Sequence, residues 1–390
     1  MRSEVVCILN RRRFPIEERD VSDGGTINVA HVVEGLLARG ARVEVFTQRE
    51  PQHPSVRAAG RMTVHYVDFE PSAAPDTFRR DFEEGASFSR GVARHPAFRP
   101  ASYRCIHSHH WTSAIGLADV LPVSVRLIHT PHLLASEKAL HLGLACPEDV
   151  KAVEGALLRR ADAVVALSVA ERAAISDGYG IRLERVQVIY NGVSDAFFAV
   201  PAMDNVSDGS NLRLVSTARL CRQKGIDVLL DAMEFLLGEG VEATLTVAGG
   251  SYNEIEYERQ LRQRAEAEPL RGRVYFLGHV PHGKIAGILG NADLYVQPSR
   301  YESQGIAVLE AMATGRPVVV SDLAAVREFL VHGVNGVLVG TDRPRELARA
   351  LMDLRRDAPA RVALGREARG AAAAFTWPRT VADTLSIVWD

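Results

Sequence analysis

Short β-branched apolar runs alternate along this chain with stretches whose apolar residues recur at helical spacing. VVCIL at 5–9 predicts a buried strand. RVEVFT at 42–47, MTVHYV at 62–67, YRCIHS at 103–108, VRLIHT at 125–130, AVVALS at 163–168 and VQVIY at 186–190 continue the series. A helix is expected from about Thr26 to Ala38, ending at Gly40, and helical stretches fall between most of the other strands. Strands that alternate with helices argue for parallel sheet covered on both faces.

Residues 195–211, DAFFAVPAMDNVSDGSN, interrupt the pattern and read as a linker, being rich in Pro, Asn, Asp, Ser and Gly without a period. The alternation restarts at LRLVST (212–217) and runs through ATLTVAGG (243–250), RVYFLG (273–278), ADLYVQPS (292–299) and PVVVS (317–321). The expected organisation is therefore an α/β domain over 1–194, a linker over 195–211, a second α/β domain over 212–374 and a closing segment over 375–390. A final helix is expected over about 378–389, after Trp377-Pro378. The two halves repeat an architecture, not a sequence.

Composition narrows the partners. A chain of 390 residues suits two domains at roughly 150 residues each. Net charge is −2, so no global field attracts nucleic acid or an anionic membrane. No apolar run approaches the roughly 18 residues that span a bilayer, and the start of the chain lacks a secretory pattern. Cys7, Cys105, Cys146 and Cys221 are far apart, which argues against structural zinc or a disulfide framework. A reduced, cytoplasmic protein is expected. Lysine occurs only at 138, 151, 224 and 284 among 46 basic residues, and with the abundant Ala and Val this suggests a GC-rich genome.

Two nucleotide signatures fail. A G-x-G-x-x-G fingerprint is absent, and Gly278-His-Val-Pro-His-Gly283-Lys284 lacks the magnesium-binding hydroxyl of a P-loop because Ile285 follows the lysine. The segment from Ser299 to Pro317 is more informative. It sets a glycine-bearing loop between a strand and a helix, with Glu302 before the helix and Glu310 inside it. A helix N-terminus suits sugar hydroxyls and phosphate oxygens, and a carboxylate one or two turns in can accept both hydroxyls of a ribose. Arg219 and Lys224 follow the first strand of the second half, where two cations suit a diphosphate. Asp23-Gly24-Gly25 forms a glycine loop after the first strand, open to close approach by a ligand. Ten of thirteen histidines lie in the first 141 residues; His107, His109 and His110 end one strand, and His129 and His132 end another. The charged stretch Arg11 to Asp20 carries both signs.

With these motifs, the sequence resembles the retaining glycosyltransferases of family 4, which have the GT-B fold and include sucrose-phosphate synthases and the first transferase of mycothiol synthesis. The match covers most of the chain. The resemblance implies two Rossmann-like domains facing a cleft. It implies that Glu302 lies beside the donor sugar and Glu310 binds the ribose. Backbone N–H groups of Gly305, Ile306 and Ala307 would meet sugar or phosphate, with Val280 near the base and Gly24 and Gly25 near the diphosphate. Arg219 and Lys224 would hold the diphosphate and stabilise it as leaving group. The reacting-centre histidine would be His132 or His129; His132, with Lys138 six positions later, matches the relatives better. His109, His110, Trp111 and Lys138 would face the acceptor. Gln304 replaces the usual Phe before the glycine, which bears on the choice of donor sugar.

The expected reaction is transfer of a hexosyl group from a nucleotide sugar, a UDP-sugar, to a hydroxyl of a small polar acceptor, without metal or other cofactor. The acceptor would be a sugar, cyclitol or aminocyclitol, and an antibiotic pathway is one setting that fits the composition. Rival readings are a sugar-nucleotide epimerase of the same fold, a metal-dependent hydrolase built on His107 and His109, and a sugar-binding scaffold without turnover.

Overall fold

The computed structural model describes residues 4–12, 14, 24–74, 76–203, 211–251 and 254–389. The chain divides into two units, Met1–Asn191 with Trp377–Asp390, and Gly192–Thr376.

Among the described residues the first unit holds eight strands: β1 (Val5–Asn10), β2 (Arg42–Gln48), β3 (Val56–Ala59), β4 (Met62–Val67), β5 (Cys105–His109), β6 (Leu127–Thr130), β7 (Ala163–Ala166) and β8 (Val186–Val188). They form one sheet in the order β3-β4-β2-β1-β5-β6-β7-β8. Every pairing is parallel except β3 with β4. Side chains alternate between two cores, as the two-residue period of a strand requires. Val6 and Ile8 face one cluster with Val29, Val32, Val33 and Leu36 of the helix Gly24–Ala38. Cys7 and Leu9 face the other, with Phe88, Leu127 and Leu157. The helix Trp377–Trp389 adds Leu385, Ile387 and Val388 to the first cluster. Arg104 donates to the carbonyls of Val388 and Trp389 at 3.1 and 2.7 Å, which satisfies the end of that helix.

The second unit carries β9 (Leu212–Thr217), β10 (Ala243–Ala248), β11 (Val274–Gly278), β12 (Leu294–Gln297), β13 (Val318–Ser321) and β14 (Val337–Val339), in the order β11-β10-β9-β12-β13-β14. Counted within the unit this is 3-2-1-4-5-6, the doubly wound order. Ligands in such sheets collect beyond the carboxyl ends of the strands where the order reverses. That point lies between β9 and β12 here, and between β1 and β5 in the first unit.

Three local differences from the sequence reading have physical causes. Residues 195–198, assigned to the linker, form a helical turn (Asp195–Phe198) because the Ser194 hydroxyl accepts from Ala196 N–H and Phe197 is buried. Residues 204–210 of that stretch lie outside the described residues. Gly24 and Gly25 do not form a loop but open the helix Gly24–Ala38. Asp23 lies outside the described residues. β3 is an exposed antiparallel edge with no apolar run to announce it.

Candidate active site

β9 ends at Thr217, and the chain runs through Arg219 into a turn at Arg222–Lys224. Gly225 follows at φ 66° and begins the helix Ile226–Gly238. A Cβ on Gly225 would stand 2.0 Å from the carbonyl oxygen of Pro298, so the turn lies directly on the backbone beyond β12. This contact brings Lys224 to Glu302. Its Nζ donates to Oε1 at 2.6 Å and to Oε2 at 2.9 Å. Glu302 Oε1 also accepts from Ser299 Oγ at 2.7 Å and from Gln297 Nε2 at 2.6 Å. Only 8% of the Glu302 side chain and 15% of the Lys224 side chain are exposed. A charge so enclosed is tolerable because it is paired and hydrogen-bonded.

Arg300 locks the two loops together. Its backbone N–H donates to Gln223 O at 2.8 Å, and Gln223 Nε2 donates to Tyr301 O at 3.0 Å. Its guanidinium reaches Arg222 O at 2.6 Å, Asp342 at 2.9 Å and both oxygens of Asp227 at 2.8 and 3.0 Å. Burial pushes the Asp227 carboxyl upward, but the bonds from Arg300 and Tyr257 outweigh it and hold the group below the usual carboxylate range. Arg219 is half-buried at the same strand end, and Arg222 is exposed over the Tyr257 ring.

Gly305, at φ 100°, caps the helix Ile306–Ala313. A positive φ of this size favours glycine. The N–H groups of Ile306 and Ala307 open this helix and have no helical acceptor by position. Glu310, one turn further, is 6% exposed, and His282 Nε2 lies 2.6 Å from its Oε1. His282 begins the helix His282–Gly290 and packs its ring against Phe197 with centroids 5.3 Å apart. Val280, two residues earlier, is half-buried against the same core as Phe198 and Val200.

In the first unit the ends of β5 and β6 carry the histidines. His109 Nδ1 lies 2.9 Å from His132 Nε2, and His132 has φ 58°. His107 Nε2 contacts Thr130 Oγ1, and His129 Nδ1 contacts Ser108 Oγ, both at 2.8 Å. Burial, then the neighbouring imidazoles, pushes His107 and His129 down to about 3, so both rings stay neutral near pH 7. His129 is fully buried behind the strand end, whereas His132 is half-buried. Lys138 stands over the Phe78 ring at 5.3 Å. The helix carrying it, Ala135–His141, is held by Glu154, which accepts from Ala135 N–H at 2.8 Å and from Ser136 N–H at 3.4 Å. The Tyr179 hydroxyl also donates to Glu154.

Several expected residues sit differently from their assignment. Trp111 is 1% exposed and packs with Phe78, Ile115, Ala135, Ala139 and Val150, so its indole fills a core. His109 and His110 are 1% and 4% exposed, and His109 faces His132 rather than an open surface. Arg11, placed in the charged stretch, is 5% exposed and neutralised by Asp81 at 2.8 Å and Glu84 at 2.7 Å. Residues 13 and 15–20 of that stretch lie outside the described residues. The pairing proposed for a metal hydrolase finds no carboxylate partners: among the described residues no group of three or more His, Cys, Asp and Glu has metal-binding geometry. His282, Gln297, Ser299, Arg300 and Glu154 were given no role by the sequence reading, although His282 lies in the Gly278-to-Lys284 stretch and Ser299 and Arg300 open the Ser299-to-Pro317 segment. Among the described residues no helix is long and apolar enough to cross a membrane.

Residues 22–197 match the family described as Glycosyltransferase Family 4, and residues 204–371 match the one described as Glycosyl transferases group 1. The D-inositol 3-phosphate glycosyltransferase of Jonesia denitrificans is 30% identical over 98% of this chain and 95% of its own length. The protein of the same name from Thermobispora bispora is 31% identical, covering 97% and 92%. Among solved structures, sucrose-phosphate synthase from Thermosynechococcus elongatus superposes with a TM-score of 0.82 at 24% identity, covering 98% of each chain. Anabaena HepE in complex with UDP-glucose gives 0.73 at 22% identity, covering 98% and 99%.

Proposed function

This chain belongs to the family 4 glycosyltransferases of GT-B architecture, and on that premise we propose that it transfers a hexosyl group from a UDP-sugar to a hydroxyl of a small polar acceptor, with retention at the anomeric carbon. The observation that carries this reading is the convergence of Lys224, Glu302 and the Gly305-capped helix beyond β9 and β12, the reversal point of the second sheet. Arg219 and Lys224 neutralise the leaving diphosphate. Glu302 and the N–H groups of Ile306 and Ala307 take the hydroxyls of the donor sugar, and Glu310 takes the ribose. His132 is the histidine we assign to the reacting centre. In the chemical step the anomeric C–O bond to the diphosphate breaks and one to the acceptor oxygen forms. The acceptor's proton passes to the departing diphosphate on the same face. No metal or further cofactor enters this scheme.

A cyclitol acceptor agrees with the names of the relatives, which are D-inositol 3-phosphate glycosyltransferases. An aminocyclitol of antibiotic assembly is a second form of the proposal, to be tried in the same acceptor screen. UDP-glucose, the ligand of one solved protein of this fold, is the first donor to test.

The test is a thermal-shift comparison of UDP-, GDP- and dTDP-sugars on the wild type and on Glu310→Ala. A ligand that binds only the folded state raises its stability by mass action. A shift with UDP-sugars that is lost in the variant supports the donor site, and an acceptor screen with NMR of the product's anomeric configuration then tests retention. Absence of any shift, or inverted product, overturns the reading. Activity abolished by a chelator and restored by a divalent ion would refute metal independence.

A further inference from the structure

Glu310 is a long carboxylate on a short helix, and its plane must be set before it can accept two neighbouring hydroxyls at once. Nothing on its own helix sets that plane, because Leu309, Ala311, Met312 and Ala313 are apolar and buried. His282 does. Its Nε2 lies 2.6 Å from Oε1, a short separation typical of a bond to a charged acceptor. The imidazole is itself held, since it begins a nine-residue helix and leans on Phe197, which is 1% exposed. Among the described residues no other side chain hydrogen-bonds the Glu310 carboxylate. A carboxylate has about four lone-pair sites, and one imidazole N–H occupies one of them. Oε2 and the second lone pair of Oε1 are left for a ligand.

We propose that His282 is a positioning residue that fixes the Glu310 carboxylate to read a cis-diol, so that the site selects ribonucleotides over 2′-deoxyribonucleotides. The inference rests on the donor reading above, in which Glu310 meets the ribose. It gives a role to the Gly278-to-Lys284 stretch that is not a phosphate loop. A site built to hydrogen-bond a hydroxyl rejects the analogue that lacks it, because the buried partner is then left unpaired. With His282 gone, the carboxylate can swing to satisfy itself elsewhere and the discrimination weakens.

Calorimetric titration with UDP and with 2′-deoxy-UDP tests this, using the full chain and no acceptor. The wild type is expected to prefer UDP by about tenfold or more. His282→Ala should bring the two affinities to within about threefold, mainly by weakening UDP binding. His282→Gln places an N–H near the position of Nε2 and should recover much of the preference. His282→Phe keeps the packing on Phe197, removes the donor and should behave like the alanine variant, which covers a failure of that variant to fold. A merely structural role would move the melting temperature and leave the affinity ratio alone. A ratio unchanged in folded His282→Ala or His282→Phe overturns the inference while Glu310→Ala still abolishes UDP binding. Failure of the wild type to bind UDP overturns the donor reading and this inference with it.

Discussion

Lys224 and Glu302 stand 78 positions apart and form a two-pronged contact, one ammonium between the two oxygens of one carboxylate. The pair joins the residue assigned to the leaving group with the residue assigned to the sugar. Both are largely enclosed, so their energetics are those of a buried pair. Removing one partner strands the other charge.

Lys224→Met should therefore cost about 3 kcal/mol of stability, read from urea denaturation. Adding Glu302→Gln to it should restore most of that loss, since Gln297 and Ser299 can still bond a neutral amide. Activity should not return in the double variant. Each single change should lower kcat by roughly 10² to 10³ if its charge acts in the transition state. A double variant no more stable than Lys224→Met would mean that the pair is not coupled.

Gly225→Ala sets a methyl group against Pro298 O at a position with positive φ. The turn and the loop beyond β12 must part. Nucleotide affinity should fall at least tenfold while the circular dichroism of the helices stays unchanged. Gly178→Ala is the control, because no atom lies within 4 Å of a Cβ placed there. Equal effects of the two substitutions would rule out close backbone packing as the cause.

Glu154 supplies a pH test. Burial raises its pKa to about 7 against its hydrogen bonds from Tyr179, Ala135 and Ser136. The folded state then holds a proton that the unfolded state releases near its ordinary value of 4.5. This contribution is fully present below about 4.5 and is lost as pH rises through 7. Glu154→Gln mimics the protonated form and has no such slope. Relative to the variant, wild type should lose about 2 kcal/mol between pH 5.5 and 8.5 in chemical denaturation. Parallel stability curves for the two proteins would show that the carboxyl does not titrate in this range.

Trp111 separates packing from acceptor binding. Its truncation to alanine should cost roughly 3–5 kcal/mol, the usual loss for a buried aromatic. Trp111→Phe should lose clearly less stability than the alanine variant, since it leaves a smaller cavity, and keep its acceptor KM. A raised acceptor KM with unchanged stability in the phenylalanine variant would return the residue to the acceptor site.

The β-strands around the site were legible because most are largely buried and carry apolar runs, as at VVCIL. β3 was not, because all four of its residues are exposed and its pairing depends on β4 alone. Glu302 and Glu310 could be picked out because the segment around them resembles a known family; their spacing alone is weak evidence. Their protein partners could not. His282 meets Glu310 across 28 residues, and Arg300 meets Asp227 across 73, so tertiary structure alone brings them together. That Trp111 is buried was hidden for a related reason. Its place in the core is set by Phe78 and Val150, which no local pattern ties to it.

The second unit's ligand end also rests main chain on main chain at Gly249, where a Cβ would stand 1.9 Å from the carbonyl oxygen of Ala218. With Gly225 on Pro298, two loops have their distance set by peptide planes rather than by side-chain size. Such a foundation has almost no sequence freedom, since any side chain at either glycine wedges it open. Variation in substrate choice must then arise above it, at side chains rather than in these backbone contacts. The protein thus separates a template that can only be inherited whole from tips on which selection, or an engineer, can act one residue at a time.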